Sequence, residues 1–200
     1  MTTPAIPASL KLDLQFDVAR LQADLQGIIA GEYVPHFNLR YYEGNWSVVP
    51  LRSIGGQPGH IYPDPTRTMS FADTPLVERC PYFREIMQAF PCKLQAVRLL
   101  RLNAGSVIKE HSDYKLSYAD AELRLHIPVV TNPDVEFFLN NQRVVMGEGE
   151  CWYNDFTLPH RIANRGATDR IHLVIDCELN DWLRGVFERS LAVAPALVKN

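Results

Sequence analysis

The chain has little cysteine, no long apolar run and no surplus of either charge, and each shortage closes off a class of function. Four cysteines in 200 residues (Cys80, Cys92, Cys151, Cys177) show no C-x-x-C spacing. They are too few for a disulfide scaffold and wrongly placed for a closed structural zinc site. Nowhere do roughly 18 apolar residues follow one another, so no membrane span is expected. Twenty basic residues against 23 acidic ones leave a formal net charge of −3, which offers neither a basic footprint for nucleic acid nor a polybasic membrane anchor. The opening MTTPAIPASLKLDL has no basic n-region and no apolar run of signal-peptide length, so a reduced, cytoplasmic setting is expected. Repeats and low-complexity segments are missing too, and a single domain over residues 1–200 is the expectation.

What is present divides into a helical first third, a strand-rich centre and a helical end. Val18, Leu21, Leu25, Ile28 and Ile29 recur at helical spacing over 17–30, with Asp17 as cap and Gly31 as stop. Residues 32–74 hold turn formers, GGQPG at 55–59 and PDP at 63–65, and read as short strands and long loops. A second helix is expected over 81–90, begun by Pro81 and ended by Pro91. From Lys93 the period shortens to two. KLQAVRLLRLN, LRLHIPVV, VEFFL, RVVM, ECWYN, HRIAN and RIHLVIDC follow one another across short turns, a pattern of sandwiches and barrels. The expected layout is a helical and loop support over about 1–92, a β core over about 93–178 and an amphipathic helix over about 179–191.

Most of the six histidines carry no signal; His36 and His60 read as loop or surface residues. His111 differs, because it begins His111-Ser112-Asp113 after a strand, and residues two apart in extended chain face one side. About 0.4 such His-x-Asp pairs would arise by chance in this composition, so the pair alone is weak. His160, after Leu158-Pro159, completes two histidines and a carboxylate, the facial set that leaves coordination positions open on a non-haem iron. Arg170 opens the apolar strand RIHLVI, where a cation is costly unless an anion pairs with it. Along 123–130, Arg124 and His126 share the face opposite Leu123, Leu125, Ile127 and Val129, an arrangement suited to a carboxylate ligand. Arg98 sits similarly on the preceding strand. No Ser/His/Asp arrangement and no H-E-x-x-H helix is evident, so no catalytic side chain is expected beyond the metal centre.

The run Arg98 to Ile108 followed by His111-Ser112-Asp113, then LRLHIP at 123–128, GECWYND at 149–155, Leu158-Pro159-His160 and RIHLVID at 170–176, resembles the aspartyl/asparaginyl β-hydroxylase family. Weaker echoes lie in WSVVPLRSIGG (46–56) and Cys80-Pro81-Tyr82-Phe83, so the likeness covers about residues 40–180. It implies a mainly β protein with flanking helices, its core a double-stranded β-helix, or jelly roll, of cupin-like form. It further implies Fe(II) held by His111, Asp113 and His160, with 2-oxoglutarate and O₂ as cosubstrates. Arg170 matches the residue that pairs with the distal carboxylate of 2-oxoglutarate, Arg124 and His126 the pair near its chelating end, with His172 and Arg98 as further contacts. The animal peptide-directed member of the family lacks the aspartate, whereas this chain has the full set, as bacterial members resembling proline hydroxylases do.

The activity implied is hydroxylation of an Asp- or Asn-type residue in a peptide or protein, with release of succinate and CO₂. The alternatives are hydroxylation of a free amino acid such as proline, or a non-catalytic or different metal-binding jelly roll. Arg52 and Trp46, in the family-like upstream segment, are the candidate substrate anchors, and the expected partner is a small amino acid or a peptide.

Overall fold

Leu123, Leu125, Ile127 and Val129 alternate with Arg124, His126 and Pro128 along one strand, and this alternation organises the molecule. The leucine, isoleucine and valine side chains are fully buried on one side of a large sheet; Arg124, His126 and Pro128 face the interior of a barrel on the other. The computed structural model describes residues 6–62 and 68–193, so the PDP turn expected at 63–65 lies outside the described residues. In chain order the elements are β1 (Ser9–Gln15), α1 (Val18–Gln26), β2 (Val34–Pro35), β3 (Tyr42–Glu43), β4 (Trp46–Ile54), β5 (Phe71–Asp73), α2 (Pro81–Gln88), β6 (Leu94–Leu102) and β7 (Val107–His111). They continue with β8 (Glu122–Val130), β9 (Val135–Leu139), β10 (Gln142–Val144), β11 (Glu150–Asn154), β12 (His160–Asn164), β13 (Arg170–Glu178) and α3 (Asp181–Val193).

The strands form two antiparallel sheets. The larger runs β1-β11-β8-β13-β6-β4-β2, with β5 paired to β4, and the smaller runs β10-β9-β12-β7-β3. Their inner faces meet over Trp46, Leu102, Ile108, Phe137, Leu139, Met146, Phe156 and Ile162. This is the expected jelly roll. The outer face of the large sheet buries Leu12, Val97, Leu99, Leu125, Leu173 and Ile175 against Leu21, Phe83, Ile86, Leu183, Val186 and Phe187 of the three helices. Each such side chain is worth about 1.5–3 kcal/mol in transfer free energy, so this layer anchors the sheet that carries the polar interior. Helix α1 is capped as expected, Asp17 accepting from the Arg20 N–H at 3.1 Å, but it ends at Gly27, short of Gly31. Its buried Asp24 then caps α2 by accepting from the Tyr82 and Phe83 N–H groups at 2.7 and 2.8 Å.

Two departures from the sequence reading matter for function. Residues 9–15 form a strand: Leu10 and Leu12 alternate with Lys11 and Asp13, and β1 pairs with β11 at the sheet edge. Residues 46–54 form a nine-residue strand despite Pro50, because the register against β6 shifts between Pro50 and Arg52 and absorbs the missing N–H. The barrel therefore begins well before Lys93, and the N-terminal segment supplies strands to both sheets rather than only an outer support.

Candidate active site

His111 closes β7 and His160 opens β12. The two are direct cross-strand partners, which brings their ring centroids to 4.2 Å. Asp113 follows where the chain leaves β7, its N–H donating to the Phe156 carbonyl at 2.8 Å. One ligand atom from each of His111, Asp113 and His160 lies within 4.8 Å of the others. The two imidazoles are anchored in the same way: Nδ1 of His111 lies 2.7 Å from the Lys109 carbonyl, and Nδ1 of His160 lies 3.0 Å from the Leu158 carbonyl. A carbonyl oxygen only accepts, so each ring donates from Nδ1, which leaves Nε2 as the nitrogen available to a metal. Burial lowers the pKa of His160 and keeps that ring neutral. Tyr41 stacks on His111 at 5.0 Å, and Phe156 meets His160 edge-on at 4.9 Å. Two imidazoles and one carboxylate, gathered by one sheet and the loop beyond it, fit Fe(II) with open positions.

The opposing large sheet supplies the charges. Arg124 Nη1 donates to Asp113 Oδ2 at 2.5 Å, while its Nε and Nη2 donate to the two oxygens of Asp176 at 2.7 and 3.0 Å. Arg98 Nη2 pairs with Asp176 as well. Burial pushes the Asp176 carboxyl upward, but Arg124 and Arg98 outweigh it and hold it down at about 2. Arg124 was the expected contact at the chelating end of the cosubstrate. All three of its nitrogens engage carboxylates, and through one of them it braces the candidate metal ligand Asp113. The sequence reading gave Asp176 no role, although it stands in the same strand as Arg170; no local pattern reveals that Asp176 stands opposite Arg124 across the β13–β8 ladder.

Deeper in the barrel, Arg170 is 2% exposed and meets no carboxylate among the described residues. Its Nη2 lies 3.1 Å from His172 Nδ1, and its Nε is buried without a partner. Burial alone pulls its pKa from 12.5 to about 9. His172 Nδ1 lies 3.2 Å from His126 Nδ1. A guanidinium only donates, so His172 Nδ1 accepts from Arg170, and His126 Nδ1 carries the proton it shares with His172. His126 is left with an unprotonated, buried, unpartnered Nε2. That nitrogen is an acceptor, which suits a water or hydroxyl. Phe156 packs at 5.0 Å on His126, so the chain Arg170–His172–His126 leads to the metal cluster. A cavity of about 40 Å³ lined by Arg170, His172, Asn132, Phe137 and Met146 adjoins its far end. A roomier one, about 460 Å³, lies away from this chemistry between Val34, Val49, Leu76 and Arg79, where Arg79 bonds Glu32.

The two upstream candidates separate. Trp46 faces the interior, 8% exposed, with Nε1 buried and unpartnered. Arg52 does not reach the site. Its guanidinium donates to the Leu94 and Phe71 carbonyls and to Asp73, strapping β4 to β5 and β6. His36, set aside in the sequence as a loop residue, is brought in: its ring stacks on Trp46 at 3.5 Å and 11°. The segment after β2 crosses here from one sheet to the other, a long-range arrangement no local pattern announces.

A family model described as aspartyl/asparaginyl beta-hydroxylase matches residues 15–179. The chain belongs to that family. Among its relatives is the L-proline cis-4-hydroxylase of Rhizobium meliloti (strain 1021), 31% identical over 167 residues that make up 82% of this chain and 59% of the relative. The chain thus spans about three fifths of the length of that curated relative. Among solved structures, a Pseudomonas putida prolyl-4-hydroxylase superposes with a TM-score of 0.51 at 10% identity, covering 86% of this chain and 93% of that one. A 2OG-Fe(II) oxygenase family oxidoreductase from Burkholderia pseudomallei gives 0.50 at 15% identity, covering 80% and 78%. At such identities these two structures speak to the jelly-roll fold alone. Within the β-hydroxylase family, the donor set here and the cations around it fit Fe(II) together with 2-oxoglutarate.

Proposed function

We propose that the protein is an Fe(II)- and 2-oxoglutarate-dependent hydroxylase. The observation that carries this reading is Arg170, a buried guanidinium with no counter-anion among the described residues, at the end of a polar chain leading to the His–Asp–His cluster. A metal-binding jelly roll with no dicarboxylate ligand has no use for so costly a group. In this reading His111, His160 and the oxygen of Asp113 not held by Arg124 bind the metal, and Arg170 binds the distal carboxylate of 2-oxoglutarate. His172 keeps the Arg170 guanidinium in place. When bound, metal and cosubstrate together supply oxidative decarboxylation to succinate and CO₂ coupled to C–H hydroxylation. The chain contributes ligands, orientation and a dry interior.

The substrate we favour is a free amino acid of the proline class, by analogy with the L-proline hydroxylase relative and in keeping with the aspartate present at position 113. An Asp or Asn residue of a peptide, as the family description has it, is the second reading. The exposed Phe37, Leu39, Tyr41, Tyr62 and Tyr114 favour it, since exposed apolar side chains of this size suit a polypeptide. The test is 2-oxoglutarate consumption and a +16 Da product across free amino acids and Asp-, Asn- and Pro-containing peptides. His111→Ala and Asp113→Ala should abolish turnover. A wild-type protein that binds metal but neither binds nor consumes 2-oxoglutarate would refute the reading.

A further inference from the structure

The four cysteines take no part in the metal site, and two of them touch. Cys177 lies near the end of β13 in the apolar layer outside the large sheet, 1% exposed, and Cys92 is half-buried in the link between α2 and β6. The Cys177 S–H donates to the Cys92 sulfur. The backbone holds them there. Cys177 pairs with Leu94, the Glu178 N–H donates to the Lys93 carbonyl at 3.0 Å, and Asn180 Nδ2 donates to the Pro91 carbonyl at 2.7 Å. Both neighbours of Cys92 are thus tied to the segment that follows Cys177.

The two thiols are unequal. The bond from Cys177 lowers the pKa of Cys92, while the bond it donates, and then burial, raise that of Cys177. Thiolate character therefore collects on the sulfur that solvent reaches, with a protonated thiol held against it. Cys80 and Cys151 are fully buried, and burial pushes the Cys80 thiol up to about 11 and raises that of Cys151 too. They serve as inert internal references.

We propose that Cys92 and Cys177 form a peroxide-reactive pair that closes an intramolecular disulfide, Cys92 being the sulfur oxidised first and Cys177 the one that resolves it. The Cys92 thiolate attacks hydrogen peroxide, an S–O bond forming as the O–O bond breaks, and the departing hydroxide takes up a proton to leave as water. The Cys177 thiol then displaces the sulfenic hydroxyl, an S–S bond replacing the S–O bond and a second water leaving. Two thiols are oxidised and one peroxide is reduced to two waters. Closure brings the sulfurs from hydrogen-bond contact to about 2 Å, a movement open to Cys92 because it lies outside the strand ladder. Asp176 and Cys177 point to opposite faces of β13, so the pairing of Asp176 with Arg98 and Arg124 stays on the inner face while the bond forms on the outer one. Neither sulfur has a part in the hydroxylase reading above.

The experiment treats the folded, reduced full chain with a few equivalents of hydrogen peroxide, blocks remaining thiols with N-ethylmaleimide and maps the tryptic peptides by mass. Trypsin places each cysteine in its own peptide, Cys92 in 85–93 and Cys177 in 171–184. The wild type should yield these two peptides linked, about 2 Da lighter than their sum, with Cys80 and Cys151 alkylated and the link undone by dithiothreitol. Cys92→Ser should leave the other three sulfurs as thiols. Cys177→Ala should stall Cys92 as a sulfenic acid that dimedone captures. The wild-type map decides the question even if Cys177→Ala fails to fold. A cooperative melt of the oxidised chain, with Tm at or above that of the reduced one, supports a bond made within the native fold, and loss of that melt on oxidation counts against it. Wild-type Cys92 that stays reduced, passes straight to sulfinic acid or links two molecules overturns the assignment.

Discussion

Replacing Arg170 with methionine should make the ligand-free protein more stable while removing its response to 2-oxoglutarate. At pH 7 the folded chain holds Arg170 charged against a pKa of about 9 instead of 12.5. That difference costs on the order of 5 kcal/mol. Methionine fills similar volume without the charge but gives up the bond to His172, so a net gain of about 2–4 kcal/mol is expected. For a chain of this length that is roughly 5–10 °C in Tm. The pH dependence has a definite sign. Because burial depresses this pKa, the cost is full at any pH below about 9 and shrinks as pH climbs from there toward 12.5. The gap between variant and wild type should therefore narrow from pH 8 to pH 10. Saturating 2-oxoglutarate with Ni(II), at about a hundred times Kd, should stabilise the wild type by about 2.7 kcal/mol and leave the methionine variant unmoved. Thermal melts with and without ligand read both effects. A variant less stable than wild type that still responds to 2-oxoglutarate would show that Arg170 serves the fold and not the ligand.

Asp176→Asn leaves two buried guanidinium groups short of charge and should cost about 3–5 kcal/mol at pH 7 in urea unfolding. The Asp176 carboxyl titrates near 2 in the folded state against an ordinary 3.8, so its contribution, about 2–3 kcal/mol, is present above about pH 4 and lost as pH falls through 2. The acid limb of the stability profile should flatten in the variant; an unchanged limb would contradict the assignment. The same substitution should weaken Ni(II) binding several-fold, because Arg124 loses the partner that aims it at Asp113. Arg52→Ala should lower stability by about 1–2 kcal/mol while leaving metal and 2-oxoglutarate affinity alone, and a raised KM without destabilisation would return Arg52 to the site.

The parts of the site legible in the sequence are those fixed by local geometry. His111 and Asp113 fall two apart at a strand end, and Arg170 stands out as a cation opening an apolar strand. The parts that escaped depend on which strand lies beside which. Arg124 and His126 are visible as polar positions on an alternating strand, but their partners, Asp176 and His172, are set by the β13–β8 register. Arg52 is misleading for a related reason. The register shift after Pro50 sets it opposite Val97, so it does not continue the inner row of Trp46, Val48 and Pro50. His36 belongs to no periodic segment; the pairing of β2 with β4, and its N–H bond to the Trp46 carbonyl, bring it inward. The strand at 9–15 was obscured because a short alternation at the chain's start is a weak signal beside the strong helical spacing that follows.

The division of the site between the two sheets has an evolutionary reading. The small sheet and the loop beyond it carry all three candidate metal ligands, while Arg98, Arg124, His126, Arg170, His172 and Trp46 ride on the large sheet. Among the described residues, one ion pair, Arg124 with Asp113, rivets the two plates at the site. Such a layout is modular. Substitutions on the large plate can retune which molecules are accepted while the metal plate keeps its geometry, provided that rivet stays in place.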